Sequence, residues 1–151
     1  MILHIARSPA WEDALATGDY RGDTLATQGF IHASTGRQWT RPLRALFGGA
    51  ADLVLLQVDE LRLAAEVRYE PGVPDDAGGE LFPHVHGPIP VEAVVAAEPI
   101  PLELTRGWTP IPFALAALTA SSRGAAADGV DEWRDRGWTV TTRPARRGGE
   151  R

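Results

Sequence analysis

Apolar and polar residues alternate in short runs over much of the first hundred positions. Ile2-Leu3-His4-Ile5-Ala6 sets one histidine among apolar neighbours and is too short for a helix before Ser8-Pro9, which predicts a strand. Ser8 as N-cap, Pro9 at the first helical position, Glu12 and Asp13 near the positive end of the dipole, and Gly18 as terminator predict a helix burying Trp11, Ala14 and Leu15. After a polar turn from Asp19 to Asp23, Gly29 opens a second strand, Phe30-Ile31-His32-Ala33-Ser34. A period of two puts Phe30, His32 and Ser34 on one face.

Further along, Trp39, Leu43, Leu46 and Phe47 predict a helix within 36–47, with Pro42 expected to break or restart it and Gly48-Gly49 ending it. Asp52 to Asp59, centred on LVLLQV, and Val67 to Glu70 predict two more strands. A Pro, Gly and Asp loop runs to Gly79. The segment from Glu80 to Pro88 carries prolines on both sides of its histidines and is expected to be a rigid connection more than a central strand. Val94 to Ala97 closes the sheet.

Charge divides the chain. Residues 1–103 hold 7 Arg and 15 Asp or Glu, a net of −8, whereas 104–151 hold 8 Arg and 5 acids, a net of +3. The expectation is a body over 1–103 and an accessory extension over 104–151 that packs on it through Trp108, Phe113, Trp133 and Trp138, its last residues frayed. The extension is read as a helix after Pro112, a small-residue linker from Ser121 to Gly129, a short helix around Trp133 and a strand at Trp138-Thr139-Val140. With 44% hydrophobic and 23% charged residues, 151 residues suit one soluble domain with an appendage. The net charge of −5 argues against a general nucleic-acid binder. No apolar run approaches the ~18 residues of a membrane span and no signal peptide is visible, so the chain is expected to be cytoplasmic.

Composition also removes chemistries. Without cysteine there is no disulfide, zinc thiolate or thiol nucleophile, and without lysine no Schiff base or P-loop lysine. Ser34 lies in no nucleophile elbow, and His32-Ala33-Ser34 lacks the second histidine–hydroxyl pair of a two-histidine phosphodiesterase. What remains is four histidines, at 4, 32, 84 and 86, all in the acidic body. The ordinary outcome for any one of them is a half-buried imidazole satisfied by a backbone carbonyl. They gain meaning if they meet in space.

Two carboxylates, Glu70 and Glu80, bracket the glycine-rich loop and either can enter a histidine cleft. Glu70 has a plain alternative as a strand-end residue paired with Arg68 or with solvent. Glu80 adjoins two glycines and a stiff Phe-Pro-His segment that would hold a side chain in place. An alternative is a metal site of Glu80, His84 and His86, two imidazoles and a carboxylate of the kind that hold zinc, iron or manganese.

In order and spacing, Ile2-Leu3-His4-Ile5, Trp11, Gly29-Phe30-Ile31-His32-Ala33-Ser34-Thr35, Asp52-Leu53-Val54-Leu55-Leu56 and Gly79-Glu80-Leu81-Phe82-Pro83-His84-Val85-His86-Gly87-Pro88 resemble domain of unknown function 952. These small bacterial and plant proteins cover about residues 1–100 of this chain. That family is similar to the ADP-ribosyltransferase fold, which implies an α+β architecture with a split, mostly antiparallel sheet, short helices and a nucleotide cleft. The resemblance implies NAD as substrate, or an ADP-ribose-type ligand, and the sequence itself points to no particular cofactor. It implies that His4 grips the adenine-side ribose, His32 and Ser34 shape the nicotinamide pocket, and Glu80 bonds the nicotinamide ribose. On this reading His4 and Glu80 are catalytic, while His32, Ser34, His84 and Glu70 bind the ligand. The family usually shows tyrosine where this chain has His86, and Pro42 interrupts its helix. A non-catalytic module binding a small phosphorylated metabolite is the remaining alternative. His4, His32, Ser34, Glu80 and His84 are expected to line one cleft, although they are spread over 80 positions of the chain.

Overall fold

The sequence Leu53-Val54-Leu55-Leu56-Gln57-Val58 leaves neither face of a strand free for water, so it needs cover on both sides. In the computed structural model, which describes residues 1–73 and 79–106, it forms β4 (Leu53–Val58), buried at every position. β4 lies between β1 (Ile2–Arg7) and β8 (Val94–Pro99), antiparallel to both. Its alternating side chains feed two cores. Val54, Leu56 and Val58 join Ile2 and Ala6 of β1 and Trp11, Ala14 and Leu15 of α1 (Ser8–Thr17). Leu53 and Leu55 join Leu3, then Trp39, Leu43 of α3 (Thr40–Leu46), Ile100, and Leu104 of α4 (Leu102–Arg106). Each fully buried large aliphatic side chain contributes about 1.5–3 kcal/mol.

Two smaller antiparallel sheets complete an α+β fold with short helices. One pairs β2 (Asp19–Tyr20) with β7 (Ile89–Pro90). The other has the order β3 (Ile31–His32), β6 (Leu81–Val85), β5 (Val67–Pro71). Five-residue α2 (Thr24–Gln28), with no buried residue, leads into β3 through Gly29 at φ +85°.

Several local expectations change. Ser8 is the first helical residue of α1, not its N-cap; Arg7 holds that position, and the Ser8 N–H donates to the Asp52 carbonyl at 2.8 Å. Pro42 does not break α3, because the helix starts at Thr40 and a first-turn residue has no intrahelical N–H bond to lose. The 80–88 segment is not merely a connection, since β6 is the central strand of its sheet. Pro83 is tolerated there because its carbonyl accepts from the Ala33 N–H at 2.9 Å. Its missing N–H therefore faces the short edge strand β3, and the ladder with β5 is untouched. The polar turn at Asp19–Asp23 holds β2.

α4 crosses the 103/104 position where the charge balance changes, and carries Leu104 into the second core. The elements and tryptophan contacts expected beyond it, including those of Trp108, Phe113, Trp133 and Trp138, lie outside the described residues. Among the described residues no helix is long and apolar enough to cross a membrane.

Gly87 lies where the chain leaves β6, and a Cβ built on it would stand 2.7 Å from the Ala65 Cβ. Gly87→Ala is expected to lower stability by about 1–3 kcal/mol in urea unfolding, through overpacking. Adding Ala65→Gly should recover part of that loss; equal stability of Gly87→Ala and the wild type would contradict the close packing.

Candidate functional site

The site begins with a join between sheets. Leu3 and Ser34 exchange backbone hydrogen bonds, 2.8 Å each way, fastening β1 to the residue two places beyond β3. Next to this bridge the His4 Nδ1–H donates to the His32 carbonyl at 2.5 Å, and the Tyr20 hydroxyl meets His4 Nε2 at 2.8 Å. A carbonyl can only accept, so Nδ1 carries the proton and Nε2 accepts from Tyr20. Burial pushes His4 down to about 4, against the opposing effect of its bond to the His32 backbone. Burial, then the charge of Asp23, pushes Tyr20 up. Both groups are neutral struts, with both nitrogens of His4 engaged by protein.

Beyond the join, Ile31, Ala33 and Val85 turn into the first core. The alternate residues face the other way, and the register aligns them: His32 pairs with His84, and His84 with Arg68, across β3, β6 and β5. Period two adds Phe30, Glu70, Phe82 and His86 to this face. Phe30 stacks on the His84 ring at 4.1 Å and 13°, and His32 meets His84 edge to face at 5.0 Å.

Glu70 organises the imidazoles. His84 Nδ1–H donates to Glu70 Oε2 at 2.8 Å, and His86 Nε2 reaches the same oxygen at 3.3 Å. These bonds, that from His84 foremost, hold the Glu70 carboxyl below the usual carboxylate range. His84 is 3% exposed, and its Nε2 is buried without a hydrogen-bond partner. Such an atom costs about 1–3 kcal/mol unless something bonds it. His32 is more open, bonding Gln28 Oε1 through Nε2 at 2.8 Å. Burial, then the adjacent His84, lowers its pKa.

Glu80 belongs to a separate cluster. Buried Gln38 donates to Glu80 Oε1 at 3.0 Å and to the Leu81 carbonyl at 2.8 Å, and Arg41 pairs with Glu80 Oε2 while lying over the Phe82 ring. Four positions along an extended segment put Glu80 roughly 13 Å from His84. The structure thus brings His32, His84, His86 and Glu70 together, sets His4 behind His32, buries Ser34 in the join, and places Glu80 further along the face. Among the described residues no three His, Asp or Glu side chains are grouped to hold a metal ion, so Glu80, His84 and His86 do not converge. Gln38, Tyr20 and Gln28 were not singled out from the sequence. Their roles depend on partners up to 43 positions away, and no local motif marks them.

Below its ordinary value near 6.5, His4 stays neutral in the fold while the unfolded chain takes up a proton. Stability is therefore fully present above pH 6.5 and declines as pH falls towards about 4, by on the order of 3 kcal/mol, with His32 adding in the same sense. His4→Gln should flatten this acid slope in unfolding measured between pH 7 and 4.5. An unchanged slope would contradict the buried neutral imidazole.

Three solved structures share this arrangement of the chain, all of CC0527 from Caulobacter crescentus. Its crystal structure is 31% identical with a TM-score of 0.58, over 65% of this chain and 83% of that one. Its solution NMR structure is 32% identical with a TM-score of 0.56, over 66% and 84%. No curated protein matches. Residues 5–97, which contain every residue of the imidazole face, match the family described as protein of unknown function (DUF952), and the chain belongs to that family.

Proposed function

We propose that the imidazole face binds a small ribose-phosphate ligand of the NAD or ADP-ribose type. The observation that carries this reading is the buried, unpartnered Nε2 of His84, set beside His32 and Glu70 on one face although the chain separates these residues by up to 52 positions. Hydrogen-bonding imidazoles and a carboxylate suit ribose hydroxyls, and ring stacking of the Phe30 kind suits a planar base. The similarity of the family to the ADP-ribosyltransferase fold, expected from the sequence, supports the same ligand class only as an analogy of fold.

In this reading the roles shift along the face. His32 and His84 contact the ligand, Glu70 sets His84, and His4 positions the His32 backbone. Ser34 fixes the join. Glu80, steadied by Gln38, supplies a carboxylate to hydroxyls of the distal ribose, and Arg41 beside it lies near the pyrophosphate. A metal ion bound at His84 with fewer than three protein side chains around it, and without Glu80, is the second reading, favoured by one detail: a carboxylate on the far nitrogen of an imidazole is what a metal-ligating histidine commonly has.

Calorimetry of the full chain with NAD, ADP-ribose and zinc separates the two. ADP-ribose should bind, and His32→Ala should weaken that binding about tenfold, the loss of one hydrogen bond to a charged ligand. Arg62→Ala, on the 3₁₀ turn after β4, should leave it unchanged. Heat with zinc alone would favour the metal reading, and no heat with any of the three would overturn the ligand site.

A further inference from the structure

We infer that this chain forms a two-fold dimer in which β5 pairs antiparallel with the β5 of a second copy, centred on Tyr69. The surface is separate from the ligand reading above and does not depend on it. β5 is the outer strand of its sheet, next to β6 alone. The His86 N–H donates to the Glu66 carbonyl at 2.9 Å, and pairs bonded in this way recur at every second residue, so Arg68 and Glu70 turn their backbone groups to β6. Val67, Tyr69 and Pro71 turn theirs outward, where nothing among the described residues bonds them. The bond from Ala33 to the Pro83 carbonyl agrees, because Pro83, opposite Tyr69, faces β3. An edge of this kind is a template for another strand.

A second copy fits the edge by its own sequence. With the axis at Tyr69, Val67 lies opposite the partner's Pro71, and Arg68 opposite the partner's Glu70. The two Tyr69 residues exchange backbone bonds, and each Val67 N–H donates to the carbonyl of the partner's Pro71. Pro71 has no N–H, which removes only the last bond at each end. An axis at Arg68 or at Glu70 would instead set like charges face to face.

The side chains agree with this register. Glu70 commits Oε2 to His84 and His86, which leaves Oε1 unbonded among the described residues and available to the partner's Arg68. Arg68 is held by Glu66 alone, in an exposed pair that contributes little and can be shared. On the other side of the strand Tyr69 is 49% exposed, and its hydroxyl donates to Glu60 at 3.0 Å, which brings the 95% exposed Leu61 to the same edge. With Val73 and Leu81, four of the five large apolar side chains exposed among the described residues stand on or beside the β5–β6 pair. Directly opposite residues share a face, so the dimer joins the two sheets with both imidazole faces on one side.

The test is the mass of the full chain in sedimentation equilibrium at about 100 μM, where a micromolar Kd leaves mostly dimer. The wild type should show twice the 16.3 kDa of one chain. Tyr69→Pro removes the central outward N–H while leaving the β5–β6 ladder its bonds, and should be monomeric. Arg68→Glu and Glu70→Arg each set like charges opposite one another across the axis and should each raise Kd at least about tenfold. Mixed in equal amounts the two variants are complementary again, and the two-chain mass should return. A wild-type mass of one chain would overturn the inference, and protection of the Tyr69 amide from hydrogen exchange in that monomer would mean that a segment of the same chain takes the edge. A dimer that persists in Tyr69→Pro would overturn it too, as would a mixture of folded charge variants that stays monomeric. If Glu70→Arg fails to fold, Tyr69→Pro and Arg68→Glu decide the matter.

Discussion

The placement of the imidazole face depends on how two sheets are fastened at one point. β3 is two residues long and its partner β6 contains a proline, so by itself it is a weak edge. The reciprocal Leu3–Ser34 hydrogen bonds and the His4 bond to the His32 carbonyl tie it to β1, an edge strand of the best-buried sheet. A part-buried imidazole beside the core would be costly if unsatisfied. Here its donor and its acceptor are both used, so the cost is offset and the polar side chain becomes a strut. With β3 fixed, the antiparallel register sets His32 opposite His84, and β5 brings Glu70 to the far nitrogen of His84.

Two histidines illustrate how position alone divides one residue type into different work. His4 has both nitrogens engaged and is pressed towards neutrality by burial. His84 is the more enclosed of the two and has one nitrogen committed and one buried without a partner. The first contributes to order and the second departs from the rule that buried polar atoms find partners. Departures of that kind gather at functional positions, where a ligand completes what the protein leaves incomplete. Glu70 adds the electrostatic part, since a carboxylate bonded by two imidazoles is held ionised beside them.

Much of the larger sheet is legible in the sequence because its signals are local. Six consecutive apolar or amide residues at 53–58 require a doubly covered strand, and Gly18 in the left-handed region ends α1 as the sequence suggests. The alternation at Phe30–Ser34 correctly turns His32 away from the core. What local reading misses is pairing. Pro83 argues against a central strand until its absent N–H is seen to face β3, and Pro42 threatens α3 until the helix start is known. Glu70 has a neighbour of opposite charge, Arg68, as its simplest partner, yet Arg68 bonds Glu66 and Glu70 turns to His84 and His86. Glu80 is equally mobile between readings until buried Gln38 and Arg41 claim both its oxygens. The site is a product of register between distant strands, which no spacing along the chain encodes.

The open nitrogen of His84 is the centre of this account, and its ring can be observed directly. Nitrogen-15 NMR of the histidine side chains, recorded on the full chain as ADP-ribose is added, reports each imidazole nitrogen separately. The account predicts that in the free protein His84 carries its proton on Nδ1, and that the ligand moves the Nε2 resonance of His84 while both nitrogens of His4 stay where they are. A ligand that saturates the protein and leaves His84 Nε2 unmoved would contradict it.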